Sequence, residues 1–149
     1  MTTVTTTSPS ITTRAAIGIG VLSGVVAMTL ATLFAHDWRE VAVVAAVLTV
    51  ATAAVFGFVV PRALRKESAG GTALGLAIPA ALLSVPAFWS GLPLVLGVAS
   101  LLVGNAGRRA GRGSGLCIAA LVIAALTVAF YASIYVMEGL AGQTGFLLD

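Results

Sequence analysis

The chain has 149 residues, of which 59% are apolar and 9% charged, against about 45–50% and 25% in soluble domains. Such a composition excludes a water-soluble globular domain and marks an integral membrane protein, so the formal charge of +3 belongs to short loops that orient the chain and meet anionic headgroups. Nowhere do basic and aromatic residues interleave as in a base-stacking surface, so nucleic acid is not an expected partner.

The first residues, 1–14 (MTTVTTTSPSITTR), are rich in Thr and Ser and hold nothing that buries a core; they are expected to form a disordered cytoplasmic tail. The transmembrane helical domain is expected over 15–137. Its first span, 15–35, is too long for a signal-peptide core of about 7–15 residues. A cleavage site after Ala35 would also find Leu33 where a small residue is wanted, so the helix is read as retained. His36 to Glu40 is a polar turn. A second span, 41–60, is expected to end at Pro61, with Arg62, Arg65, Lys66 and Glu67 in the loop that follows.

From Ser68 to Gly107 the chain carries no charged side chain. One helix of that length would rise about 60 Å, twice the roughly 30 Å of a bilayer's hydrocarbon core. Pro86-Ala87-Phe88-Trp89-Ser90-Gly91-Leu92-Pro93 divides the run with the prolines, glycine and aromatic pair of an interfacial turn. The prediction is a helical hairpin with arms 71–86 and 92–107, the first bent at Pro79. Each arm is at the lower limit for spanning, which leaves a re-entrant hairpin as the alternative. Arg108 to Gly113 forms the next loop, a last span covers 114–136, and 138–149 is a short extracytoplasmic tail.

Charge sets the span count. With five spans, Arg14, the Arg62–Glu67 loop and the Arg108–Arg112 loop share one side and collect seven of the eight basic residues, while four of the five acids fall on the other. A single crossing of the long run would split the bases four and four. The positive-inside bias therefore favours five helices with the N-terminus cytoplasmic and the C-terminus outside. Phe34, Trp38, Phe88, Trp89 and Tyr135 then all fall at the outer interface, where amphipathic rings prefer to sit.

Small residues recur every fourth position: Ala16, Gly20 and Gly24 on the first span, Ala45, Thr49, Ala53 and Gly57 on the second, and Ala125, Ala129 and Ser133 on the last. Such stripes let backbones approach closely where lipid removes the hydrophobic incentive to associate. They are candidate faces for packing within the bundle or against a partner.

The chemistry-bearing residues form no catalytic constellation. Intramembrane charge marks proton and ion paths, yet every ionisable Asp, Glu, Lys, Arg and His falls in a predicted loop, tail or helix end. His36 is the only histidine and Cys117 the only cysteine, so neither a Zn set nor an intrachain disulfide can be assembled. Ser84, Ser100, Thr127, Tyr131 and Ser133 have no base beside them and are read as interhelical hydrogen-bond donors rather than nucleophiles. No cofactor or metal is expected. The Gly104–Gly115 segment is glycine-rich and basic but lacks the Gly-Lys-Ser/Thr ending of a phosphate loop. Its arginines fix topology, and Arg108, Arg109 and Arg112 are candidate contacts for anionic lipid.

Over about Thr72 to Tyr135, the segments AIPAALL and LPLVLGVASLLVGNAGRRAGRGSGLCIAALVIAAL resemble a family of small, actinobacterial-type multi-spanning membrane domains of unknown function. In these an apolar hairpin ends in a Gly/Ala-Arg-Arg turn and a glycine-rich restart opens the next helix. The matching positions are Gly97, Gly104, Arg108, Arg109, Gly113 and Gly115. The resemblance implies a bacterial plasma membrane and no catalytic residues.

The function expected from these features is that of a non-catalytic accessory or assembly subunit, not an enzyme. Its partners would be membrane lipids and other integral membrane proteins of a larger plasma-membrane complex. The alternative is a small membrane transporter or lipid-binding carrier, with Pro79 and the short hairpin arms forming a broken-helix site.

Overall fold

A computed structural model of the chain describes residues 13–32, 37–65 and 69–146. Among the described residues every element is helical. We number five helices: α1, Thr13–Thr32; α2, Trp38–Arg65; α3, Ala69–Leu83; α4, Leu92–Arg109; and α5, Ser114–Phe146. Three of them, over Arg14–Thr32, Trp38–Arg65 and Ser114–Met137, are long and apolar enough to cross a membrane. The hairpin arms are shorter. With 15 and 18 residues, α3 and α4 rise about 22 and 27 Å.

The bundle is built around α4. From Gly91 to Gly107 no residue is exposed, and exposure begins abruptly at Arg108. A helix apolar all round belongs in an interior, and α4 packs against each of the other four. On one side α3, α4 and α5 are in mutual contact; on the other lies the α1–α2 pair. Small side chains permit this crowding. A Cβ placed on Gly107 would lie 2.8 Å from Cys117 Sγ and 2.9 Å from Ala69 Cβ, so three helices converge where that side chain is missing.

The second helix departs from expectation: Pro61 does not end it. The turn Val55–Val59 is π-helical, with the Val60 N–H donating to the Val55 carbonyl. In a regular helix the Pro61 ring would press on the carbonyl of Gly57, four residues back. Widening the turn by one residue relieves that clash, so the helix runs on to Arg65 and carries Arg62 and Arg65 on its last turns rather than in a loop. Pro79 likewise lies inside α3 without breaking it.

Other boundaries move less. The first helix begins at Thr13 and is described to Thr32, with the expected end at 35 outside the described residues, as are 1–12, 66–68 and 147–149. The hairpin arms are Ala69–Leu83 and Leu92–Arg109 instead of 71–86 and 92–107. The last helix continues to Phe146 instead of stopping near 136, so most of the expected C-terminal tail is helical.

Two glycine-centred turns shape the hairpin. At one end Gly91 takes φ +70°, and a Cβ there would meet Ala27 Cβ at 2.9 Å; both the backbone conformation and the contact with α1 require glycine. The buried Ser90 hydroxyl donates to the Ala87 carbonyl at 2.6 Å and accepts the Leu92 N–H at 3.3 Å. At the other end Gly111, φ +68°, closes α4. The Arg112 N–H donates to the Gly107 carbonyl at 2.9 Å and the Gly111 N–H to the Arg108 carbonyl at 3.1 Å, the paired bonds of a Schellman C-cap.

Two of the glycines counted as packing positions have opposite surroundings. A Cβ on Gly20 would collide with the Phe56 side chain near its root, whereas a Cβ on Gly57 meets nothing within 4 Å. Gly20→Ala is therefore expected to destabilise the purified protein by about 1–3 kcal/mol, while Gly57→Ala is neutral or stabilising by up to about 1 kcal/mol through helix propensity. Thermal unfolding in detergent checks both; equal losses would contradict the α1–α2 packing described.

Candidate functional site

The candidate site is a set of helix faces. Of the α1 stripe, Ala16 is fully buried, Gly20 abuts Phe56 and Gly24 abuts Thr52; the two glycines are consumed in packing α1 on α2. On α2, Ala45 is half-buried, but Thr49, Ala53 and Gly57 are exposed. The α5 stripe, Ala125, Ala129 and Ser133, is exposed throughout. The opposite edge of α5, with Cys117, Ala120, Ala124, Thr127 and Tyr131, carries its contacts with the bundle and is buried. That inner edge was legible as an i, i+3, i+7 pattern of small and hydroxyl residues, but the four-residue spacing of alanines and serine on the outer face masked it.

Most of the intramembrane hydroxyls do not join helices as expected. Ser84 donates to the Ala81 carbonyl, Thr127 to Ile123 and Ser133 to Phe130, each within its own helix or the turn that ends it. A hydroxyl in an apolar environment satisfies itself most cheaply on the nearest carbonyl. Tyr131 and Tyr135 share a 2.9 Å hydroxyl–hydroxyl bond along α5. Ser100 is the exception. Buried completely, it donates to the Ala73 carbonyl of α3 at 2.8 Å.

Basic side chains gather at one end of the bundle. Arg14 opens α1, Arg62 and Arg65 close α2, and Arg108 and Arg109 close α4. Arg112 joins them by donating to the Leu64 carbonyl at 3.2 Å, capping the last turn of α2, so of the three arginines expected at lipid only Arg108 and Arg109 are exposed. Arg39 lies at the opposite end, 5.7 Å from the Trp38 ring centroid.

Between α1 and α2 runs an apolar groove of about 620 Å³, walled by Ile17, Val21 and Met28 on one side and by Thr49, Ala53 and Gly57 on the other. The Thr52 hydroxyl lies in its floor and has no hydrogen-bond partner among the described residues. No group of three His, Cys, Asp or Glu side chains that could hold a metal occurs among the described residues.

Fold and faces together define an all-helical protein with three helices suited to crossing a membrane, an internal helix wrapped by the rest, and apolar surfaces left unpacked. Comparison with family models, curated proteins and solved structures gives no match, so the reading of function rests on the chain's own residues.

Valine reproduces the shape of threonine without the hydroxyl. Because burying an unpaired hydroxyl costs about 1–3 kcal/mol, Thr52→Val is expected to leave thermal stability in detergent unchanged or raised. A clear loss would mean that Thr52 bonds a group outside the chain.

Proposed function

We propose that the protein is a non-catalytic accessory or assembly subunit of a larger complex in a bacterial plasma membrane, threaded five times with its N-terminus cytoplasmic. The observation that carries this reading is the α5 face. Ala125, Ala129 and Ser133 are exposed on a helix whose packing with α3 and α4 uses a different edge. A small-residue ridge of this kind permits close approach of a second helix, and the bundle's own folding leaves it unused. The Thr49, Ala53 and Gly57 face of α2 is likewise exposed. A transporter built on a broken helix at Pro79 finds less support, because α3 is continuous through that residue.

The five-span threading is supported by the basic end of the bundle and by the depth of the hairpin. Gly91, at the hairpin turn, meets Ala27 near the far end of α1, so the two arms traverse most of the distance that α1 covers. Arginines at the opposite end would face the cytoplasm under the positive-inside bias.

Two outcomes test these points. In a Cys117→Ala background, Trp38→Cys, Ser90→Cys and Gln143→Cys are expected to react with an impermeant thiol reagent added outside intact cells, and Ser68→Cys and Ala110→Cys are not; outside labelling at position 110 would overturn the threading.

In mild detergent the native protein is expected to migrate well above monomer size, and Ala125→Leu combined with Ala129→Leu to return it to monomer size without lowering its unfolding temperature. A wild type that already runs as a monomer would end the subunit reading.

A further inference from the structure

The arginine end of the bundle carries charge of one sign. Arg14, Arg62, Arg65, Arg108 and Arg109 are exposed there, and Lys66 and Glu67, between α2 and α3, cancel in formal charge. Asp37 and Glu40 lie at the opposite end, beside Arg39. The exposed arginines do not share one setting. Arg62 lies back along α2, donating to the Phe58 carbonyl at 3.4 Å and sitting 5.3 Å from the Phe58 ring centroid. Phe58 is 61% exposed, so Arg62 is directed at the flank of the bundle.

Arg108 and Arg109 emerge elsewhere. At Gly107, immediately before them, α4 is closed in by Ala69 of α3 and Cys117 of α5. Arg112 ties the turn that follows to the Leu64 carbonyl at the end of α2. The ends of three other helices thus crowd the point where the pair leaves the bundle. Helix axes pack about 8–10 Å apart, so on those sides a whole helix stands between the pair and lipid. Nor does α4 need the pair as a cap. The carbonyls of Ala106, Gly107 and Arg108 accept the N–H groups of Ala110, Arg112 and Gly111, and the last turn is closed by its own backbone.

We propose that Arg108 and Arg109 form the centre of a docking surface for an acidic segment of another protein, a run of Asp or Glu carboxylates that reaches this end of the bundle from the water. Each guanidinium can take a carboxylate through two parallel N–H···O bonds, and the single sign of charge steers an acidic chain toward it. A lipid phosphate carries the same charge but is confined to the perimeter, where Arg62 is the residue directed at it. This surface is separate from the α5 face, so the proposal stands or falls independently of the subunit reading.

The test uses the full chain in neutral detergent with a fluorescent peptide of alternating Glu and Gly, and its Gln and Gly counterpart as control. Fluorescence anisotropy is expected to show binding of the Glu peptide alone, weakening steeply as salt screens the exposed charges. Arg108→Gln with Arg109→Gln should lower the affinity at least tenfold. Arg14→Gln with Arg62→Gln removes the same charge from the outer helices and should leave the affinity within about threefold of wild type. Ala110→Glu, at an exposed position beside the pair, provides a second variant should the first fail to fold, and is expected to weaken binding by a similar factor through repulsion. Equal losses in the two Gln pairs would mean that the peptide reads net charge alone and would overturn the proposal. So would failure of the wild type to bind the Glu peptide, or loss of retained phosphatidylglycerol in the Arg108 and Arg109 variant with peptide binding unchanged.

Discussion

Close approach of backbones at α4 is the constraint on which the rest of the structure depends. In lipid there is no hydrophobic gain from bringing helices together, so association rests on dispersion contacts and on hydrogen bonds that lipid cannot supply. A helix surrounded by the other four must present little side chain at its tightest contacts. Gly97, Gly104 and Gly107 do this toward α5, where added Cβ atoms would meet Val128, Leu121 and Cys117. Ser100 adds a hydrogen bond from α4 to α3 that no helix could provide for itself. The caps at Gly91 and Gly111 then fix where the central helix starts and stops.

What could be read from the sequence follows from this arrangement. The hairpin was legible because an uncharged run of its length exceeds any single crossing and because its turn residues are strong local signals. The internal position of α4 was not, since an apolar residue facing lipid and one facing another helix look alike in composition. The same ambiguity blurred the stripes: Gly20 and Gly57 fall on equally regular four-residue repeats, yet one abuts Phe56 and the other meets open space. Pro61 was misleading for a different reason. Proline strains a regular α-turn, but α2 absorbs it in a π-turn and α3 carries Pro79 within an α-helix, and no sequence rule distinguished termination from continuation. Arg112 was expected to face lipid because the Leu64 carbonyl that it caps is distant in sequence.

The π turn links several features usually treated apart. It lets α2 outrun its proline, and beyond it Arg62 donates to the Phe58 carbonyl. A local departure from helical regularity thus carries the helix past its proline to the arginines of its last turns.

The unequal helices carry a consequence for the surrounding membrane. The apolar part of α5, 24 residues over Ser114–Met137, rises about 36 Å, whereas the 15 residues of α3 rise about 22 Å. In the proposed five-span threading, lipids beside α3 would thin or tilt to keep its ends wet, and those beside α5 would be under no such demand; mismatch of this kind costs fractions of a kcal/mol for each ångström. A chain threaded in that way would impose a slope in bilayer thickness around its own circumference. A body with a thin side and a thick side lowers that cost by turning the thin side toward a neighbour that also thins the membrane, so orientation within an assembly can be selected by elastic deformation of the lipid before any two protein surfaces touch.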